Sequence, residues 1–234
     1  MLLLVAVLVL CWRLRVQYEH DLRGRVWPAT APQGPVTIQP GAEELPALLL
    51  LGDSRVAQWD LPRVKGFRTI NAGLNGLTSA QMRLRTATLL DQFRPKAVVI
   101  EAGINDLKYL GLRPELSSSL ITMTKSNLLN VATQCAARGC EVILLEVWPV
   151  NRPSPPRLLV WSSAIPKGVA ELNSQLRSAE MPDKGVRVVD LFRKAMLSVS
   201  PALYRDTLHL SASAYLQLTY ALQKELDTSA AVRE

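Results

Sequence analysis

Five short strand-like runs, each separated from the next by enough chain to cross back over a sheet, leave few folds open to this sequence. They are Leu48-Leu-Leu-Leu51, Phe67-Arg-Thr-Ile-Asn71, Ala97-Val-Val-Ile-Glu-Ala102, Val142-Ile-Leu-Leu-Glu146 and Val186-Arg-Val-Val-Asp190. The first, third and fourth are apolar at successive positions instead of alternating, which is the pattern of a strand buried on both faces. Helical patterns lie between and after them. One is capped by Thr78 or Ser79 and stopped by Pro95, one runs from Leu116 to Arg138 before Gly139, and one spans about Ala212 to Leu226. Strands joined by helices connect through right-handed crossovers, so the expected fold is α/β, with a central parallel sheet of about five strands covered on both sides.

The chemistry sits where the runs stop. The first ends at Gly52-Asp53-Ser54, the second runs into Asn71-Ala72-Gly73, and the third delivers Gly103-Ile104-Asn105-Asp106. In an open α/β sheet these ends share one edge, and ligands bind there at the point where strand order reverses. Taken alone, Asp53-Ser54 also reads as an ordinary helix cap. Serine becomes a nucleophile only when a base takes its proton, usually a histidine held in one tautomer by a carboxylate. The chain has two histidines. His20 lies in a charged stretch near the amino terminus, which leaves His209 as the base available to the domain. Asp206, three residues earlier, can fold its carboxylate back onto that imidazole, although the same spacing also suits an Asp-initiated turn. Acyl transfer further requires donors aimed at the developing oxyanion. The amides of Ser54 and Gly73 and the side-chain amide of Asn105 are candidates. Singly, Gly73 reads as a turn glycine and Asn105 as a strand-end cap. Jointly, at one sheet edge, they read as a site.

As a set and in this order, these four blocks closely resemble the SGNH hydrolases, also called the GDSL esterase and lipase family. The resemblance spans roughly Leu48 to Leu226. It implies a three-layer, flavodoxin-like fold with Ser54 as nucleophile, His209 as base and then acid, and Asp206 as orienting carboxylate. It also implies an oxyanion hole of Ser54, Gly73 and Asn105, loop-supporting roles for Asp53 and Asp106, and no metal or cofactor. The expected activity is that of a serine carboxylester hydrolase working through an acyl-enzyme. Similar enzymes cleave lipid, aryl, thio and carbohydrate acyl esters, so a small-molecule, lipid or carbohydrate acyl ester is the expected substrate. An acyl- or acetyltransferase using a carbohydrate hydroxyl is the first alternative. A noncatalytic binding module is the second, and the intact reactive set speaks against it.

The rest of the chain bounds this reading. At 234 residues and 48% hydrophobic, it holds one substantial domain. The net charge of +7 is dispersed without an aromatic-interleaved basic block, which argues against nucleic acid as a partner. Three cysteines make no disulfide framework and, with the histidines, no metal-ligand spacing. Cys135 and Cys140 are close enough in sequence for a bridge, or are two small buried apolar residues; Cys11 has no evident partner. Residues 1–24 read as an apolar anchor or signal segment with a basic flank of Arg13, Arg15 and Arg23, short for a membrane span. Its expected partner is a membrane, and the protein is expected to be membrane-associated or exported, to the periplasm if the source is bacterial. Charge bias from the flanking arginines pulls the other way, and the side stays open. Residues 25–46 read as a linker, 47–228 as the catalytic domain and 229–234 as a tail. The Pro-rich loop from Trp148 to Arg157 either walls a pocket, with Trp148 and Trp161 as its aromatics, or is a surface excursion with those rings packed inside. Oligomeric state is not legible.

Overall fold

The computed structural model describes residues 2–196 and 202–231. Its strands are β1 (Thr37–Ile38), β2 (Ala47–Gly52), β3 (Arg68–Asn71), β4 (Ala97–Glu101), β5 (Glu141–Leu145) and β6 (Val186–Val189). Its α-helices are α1 (Leu2–Val26), α2 (Ser54–Ala57), α3 (Ser79–Phe93), α4 (Ile104–Leu107), α5 (Ser117–Ala136), α6 (Ala164–Arg177), α7 (Leu191–Met196) and α8 (Ala212–Ala231). The strands form one sheet in the order β1-β3-β2-β4-β5-β6. The five expected strands are all present and mutually parallel.

The sheet has six strands, not about five, because Thr37–Ile38 pairs antiparallel with Asn71 and Ile70 at the edge. An exposed strand edge carries unpaired backbone donors and acceptors, and two residues are enough to cover part of one. This strand falls inside 25–46, so part of the segment expected to be a linker belongs to the sheet.

Alternation along the central strands sorts their side chains into two cores. Leu49 and Leu51 of β2, Val98 and Ile100 of β4, and Val142 and Leu144 of β5 pack with Met82, Leu90, Leu128, Val131 and Leu172 from α3, α5 and α6. Leu48, Leu50, Val99, Ile143 and Leu145 face the other way, onto Leu191, Leu218 and Leu222 from α7 and α8. Helix α3 begins at a full capping box. Thr78 accepts from the Gln81 amide, and the Gln81 side chain accepts from the Thr78 amide.

Helix α1 runs two residues beyond the expected apolar segment. Its carboxyl half docks on the domain: Leu22 and Val26 are buried, Arg113 pairs with Glu19 at 2.6 Å, and the Thr78 hydroxyl donates to the Arg25 carbonyl. Its other half leaves Leu3, Leu4, Leu8, Leu10 and Trp12 mostly exposed. Among the described residues, no helix is long and apolar enough to cross a membrane. The three cysteines are free; Cys135 and Cys140 are buried, and the Cys140 thiol donates to the Pro95 carbonyl. The bridge therefore gives way to the packing alternative. At the carboxyl end α8 continues through Ala231 where a tail was expected, and 232–234 lie outside the described residues.

Candidate active site

The chain leaves β2 toward β3 on one side and later returns to β4 on the other, so the carboxyl end of β2 is the reversal point of the sheet. Gly52 closes that strand where a Cβ would lie 2.5 Å from the Glu101 carbonyl oxygen and 2.1 Å from a Val56 methyl. Asp53 follows as the cap of α2, its Oδ1 accepting from the Arg55 amide at 2.9 Å. Burial pushes the Asp53 carboxyl up, against the pull of Arg55. Ser54 is the first residue of α2, where the opening amides have no intrahelical acceptor. The cap and the short helix thus set the Ser54 hydroxyl and its own N–H at the same edge.

His209 arrives on a loop closed by a bridge between Tyr204 and Leu210, just before the start of α8. Its Nε2 lies 2.9 Å from the Ser54 Oγ, and its Nδ1 lies 2.7 Å from Oδ2 of Asp206. The other Asp206 oxygen accepts from the amides of Leu208 and His209 at 2.8 and 2.9 Å. Burial acts to raise the Asp206 pKa, but the His209 side chain and these two amides overcome it and bring it down to about 2. An ionised Asp206 accepts a hydrogen bond from Nδ1–H, which keeps the proton on Nδ1 and leaves Nε2 free to take one from Ser54. The expected turn role and the expected orienting contact are both present in Asp206, one on each oxygen.

The three expected oxyanion donors stand differently. Gly73 has no room for a side chain, since a Cβ would meet the Ala57 nitrogen at 2.3 Å. Its N–H already donates to Oδ1 of Asn71, whose amide nitrogen is tied to the carbonyls of Val56 and Trp59. Asn105 is buried on α4 and donates one amide hydrogen to the Leu77 carbonyl at 2.9 Å. Its second hydrogen is left over, because an amide nitrogen carries two.

Asp106 is fully buried and accepts from both the Ser79 amide and the Ser79 hydroxyl, joining α4 to the start of α3. Burial raises its pKa to about 6 in spite of those bonds. A carboxyl raised from 3.8 to about 6 binds its proton more tightly folded than unfolded, so its contribution to stability falls as pH rises between those values. Asp106→Asn removes that titration. The stability of the variant relative to wild type should rise between pH 4 and pH 7, by on the order of 3 kcal/mol. Urea unfolding at both pH values measures it; a constant difference would mean Asp106 does not titrate in this window.

Sequence reasoning passed over Arg55 and Glu101. Both side chains are fully buried and pair at 3.3 Å behind Ser54. Arg55 also donates to the carbonyls of Leu208, Trp148 and Pro149. The available signal was a charged residue embedded in otherwise buried sequence: Arg55 directly after Ser54, and Glu101 closing an apolar strand. Trp148 is fully buried, edge-on to Trp59 at 5.9 Å, so it is a core ring and not a pocket aromatic; Trp161 packs partly buried against the opposite core.

The sequence model of the GDSL-like Lipase/Acylhydrolase family matches residues 50–216, most of the chain and all four blocks. The chain belongs to this family. This is the family that the four blocks resemble. The chain is 33% identical over 115 residues to Esterase TesA of Pseudomonas aeruginosa. That match covers 43% of this chain and 53% of TesA, about half of the relative's length. A GDSL-like lipase from Bacteroides thetaiotaomicron superposes with a TM-score of 0.62 at 18% identity, covering 90% of this chain and 98% of the lipase. An acetylxylan esterase from Geobacillus stearothermophilus superposes at 0.55 with 17% identity, covering 77% and 94%. At such identities the superpositions establish the shared fold of the GDSL family, in line with the three-layer α/β expectation.

Proposed function

We propose that this GDSL-family chain is a serine esterase in which Ser54 attacks an acyl ester, His209 shuttles the proton and Asp206 orients His209. The observation that carries the reading is the unbroken chain from Ser54 Oγ through His209 to Asp206 at the reversal point of the sheet. As Ser54 attacks, its proton passes to Nε2 of His209 and negative charge develops on the former carbonyl oxygen. His209 then returns the proton to the departing alcohol, leaving an acyl-Ser54 that water opens by the reverse sequence. The Ser54 amide and the spare hydrogen of Asn105 are the two principal oxyanion donors. Gly73 joins them through a three-centre bond, because its N–H is shared with Asn71.

Removing a true oxyanion donor lowers turnover about 10²- to 10³-fold. Asn105→Ala should fall in that range with KM little changed; turnover equal to wild type would remove Asn105 from the role. Hydrolysis of short- and long-chain p-nitrophenyl esters by the full chain, beside Ser54→Ala, tests the reading as a whole. Ester cleavage that persists in the variant would overturn it.

Lipid-like acyl esters are the substrate class this reading favours. The exposed apolar half of α1 continues into the half that packs against α3 and α4, and α4 carries Asn105. A helix apolar on all sides suits lipid better than water, and Arg13, Arg15 and Arg23 suit anionic head groups. The full chain should co-float with vesicles containing phosphatidylglycerol, and Leu4→Asp/Leu8→Asp should not. Equal flotation of both proteins would rule out α1 as the membrane contact.

A further inference from the structure

Arg55 stands next to the nucleophile in sequence, yet its side chain turns inward and is fully buried. Every polar contact it makes there reaches a different part of the site's frame. Nε donates to the Leu208 carbonyl at 3.1 Å, one residue before His209. Nη1 donates to the Trp148 carbonyl at 2.8 Å and to Glu101 at 3.3 Å, and Nη2 donates to the Pro149 carbonyl at 3.3 Å. Pro149 in turn accepts from the Tyr204 hydroxyl, at the base of the His209 loop. Glu101 is the last residue of β4, two before Gly103 and four before Asn105. One guanidinium therefore joins the ends of β2 and β4, the loop after β5 and the loop that carries His209.

A buried cation is costly unless hydrogen bonds satisfy it, and three backbone carbonyls with the Glu101 carboxyl do so here. The planar fork of arginine is needed for this. A lysine ammonium could face Glu101 but could not also reach three carbonyls spread over the loop after β5 and the His209 loop. Burial and then Asp53 push the Glu101 carboxyl up to about 8, against the pull of Arg55. The peptide unit between Leu208 and His209 shows what the arrangement fixes: the His209 N–H donates to Asp206 and the Leu208 C=O accepts from Arg55, so both ends of that unit are held. The Asp206 contacts are internal to the loop and set its shape. The Arg55 contact ties that shape to the residue beside Ser54.

We propose that Arg55 is a positioning residue, holding the His209 loop in register with Ser54 through the Leu208, Trp148 and Pro149 carbonyls, with Glu101 as its buried side-chain partner. The proposal rests on the Ser54 reading given above. Displacing a reacting group by about 1 Å is enough to lower a rate about 10²-fold. Substrate binding need not change with it.

Two variants test this on the full chain with a short-chain ester. Arg55→Lys keeps the charge opposite Glu101. Arg55→Met/Glu101→Gln removes the guanidinium and its carboxyl partner together, so that neither is left facing an empty place in the core. In each, kcat should fall about 10²-fold while KM stays within about threefold, with thermal midpoints recorded alongside. A purely structural Arg55 predicts instead that whichever variant folds regains full kcat. A folded variant with kcat within about threefold of wild type overturns the proposal, as does a loss that disappears on cooling. Failure of both variants to fold also overturns it, by assigning Arg55 to core stability alone. Ser54→Ala in the same assay keeps the two readings apart, since activity there would remove the nucleophile and not the positioning residue.

Discussion

Ser54→Ala should lower kcat by about 10⁶-fold while leaving the fold intact, the loss seen when the serine of a comparable triad is removed. The structural side of this expectation is local. The side-chain bond of Ser54 is the one to His209, and its helix is capped by Asp53 and not by its own hydroxyl. An alanine therefore deletes the nucleophile without leaving a buried polar partner unpaired. KM should change little, because the hydroxyl contributes to bond formation more than to substrate binding. The decisive form of the experiment adds His209→Ala. On the proposed mechanism Ser54 and His209 act as one unit, so the double variant should be scarcely slower than either single one. Losses that multiply would mean the two residues work independently, contrary to their 2.9 Å contact.

What could be read ahead of the structure follows from burial. A strand covered on both faces must be apolar at successive positions, so β2, β4 and β5 announce themselves, and the polar residues that end them mark the active edge. The site blocks lie at those ends and were legible for the same reason. Shorter or mixed signals were not. Strand β1 is two residues long and sits in a Pro- and Gly-rich stretch, where no periodicity can develop. Helix α6 has Pro166 and Gly168 near its start, which hides it among the loop residues before it. Pro166 is tolerated because N–H groups in the first turn have no intrahelical acceptor, and Gly168 because a Cβ there would meet a Leu110 methyl at 2.7 Å. The Arg55 and Glu101 pair was hidden by the opposite rule, since charged residues are read as surface unless a partner is known. Gly73 was legible as a candidate donor, but not the Asn71 side chain that already engages its N–H, because a side-chain contact two residues back leaves no spacing signature.

Asp206→Asn should reduce kcat by about 10⁴-fold through the tautomer of His209, not through loss of the turn. The two carboxylate oxygens of Asp206 have different partners. Oδ1 accepts from the Leu208 and His209 amides, while Oδ2 faces Nδ1 of His209 at 2.7 Å. An asparagine must keep its oxygen where two N–H groups point, so its NH₂ takes the Oδ2 place. A donor there meets Nδ1 as an acceptor and shifts the imidazole proton to Nε2. With Nε2 protonated, His209 can no longer accept the proton of Ser54, although every heavy atom stays in place. The variant should thus unfold close to the wild-type midpoint, bind ester with similar KM and turn over slowly. Nitrogen NMR of the imidazole should show the proton exchanged between the two ring positions. A variant with kcat within tenfold of wild type would leave Asp206 as a turn cap whose carboxylate plays no part in orienting the base.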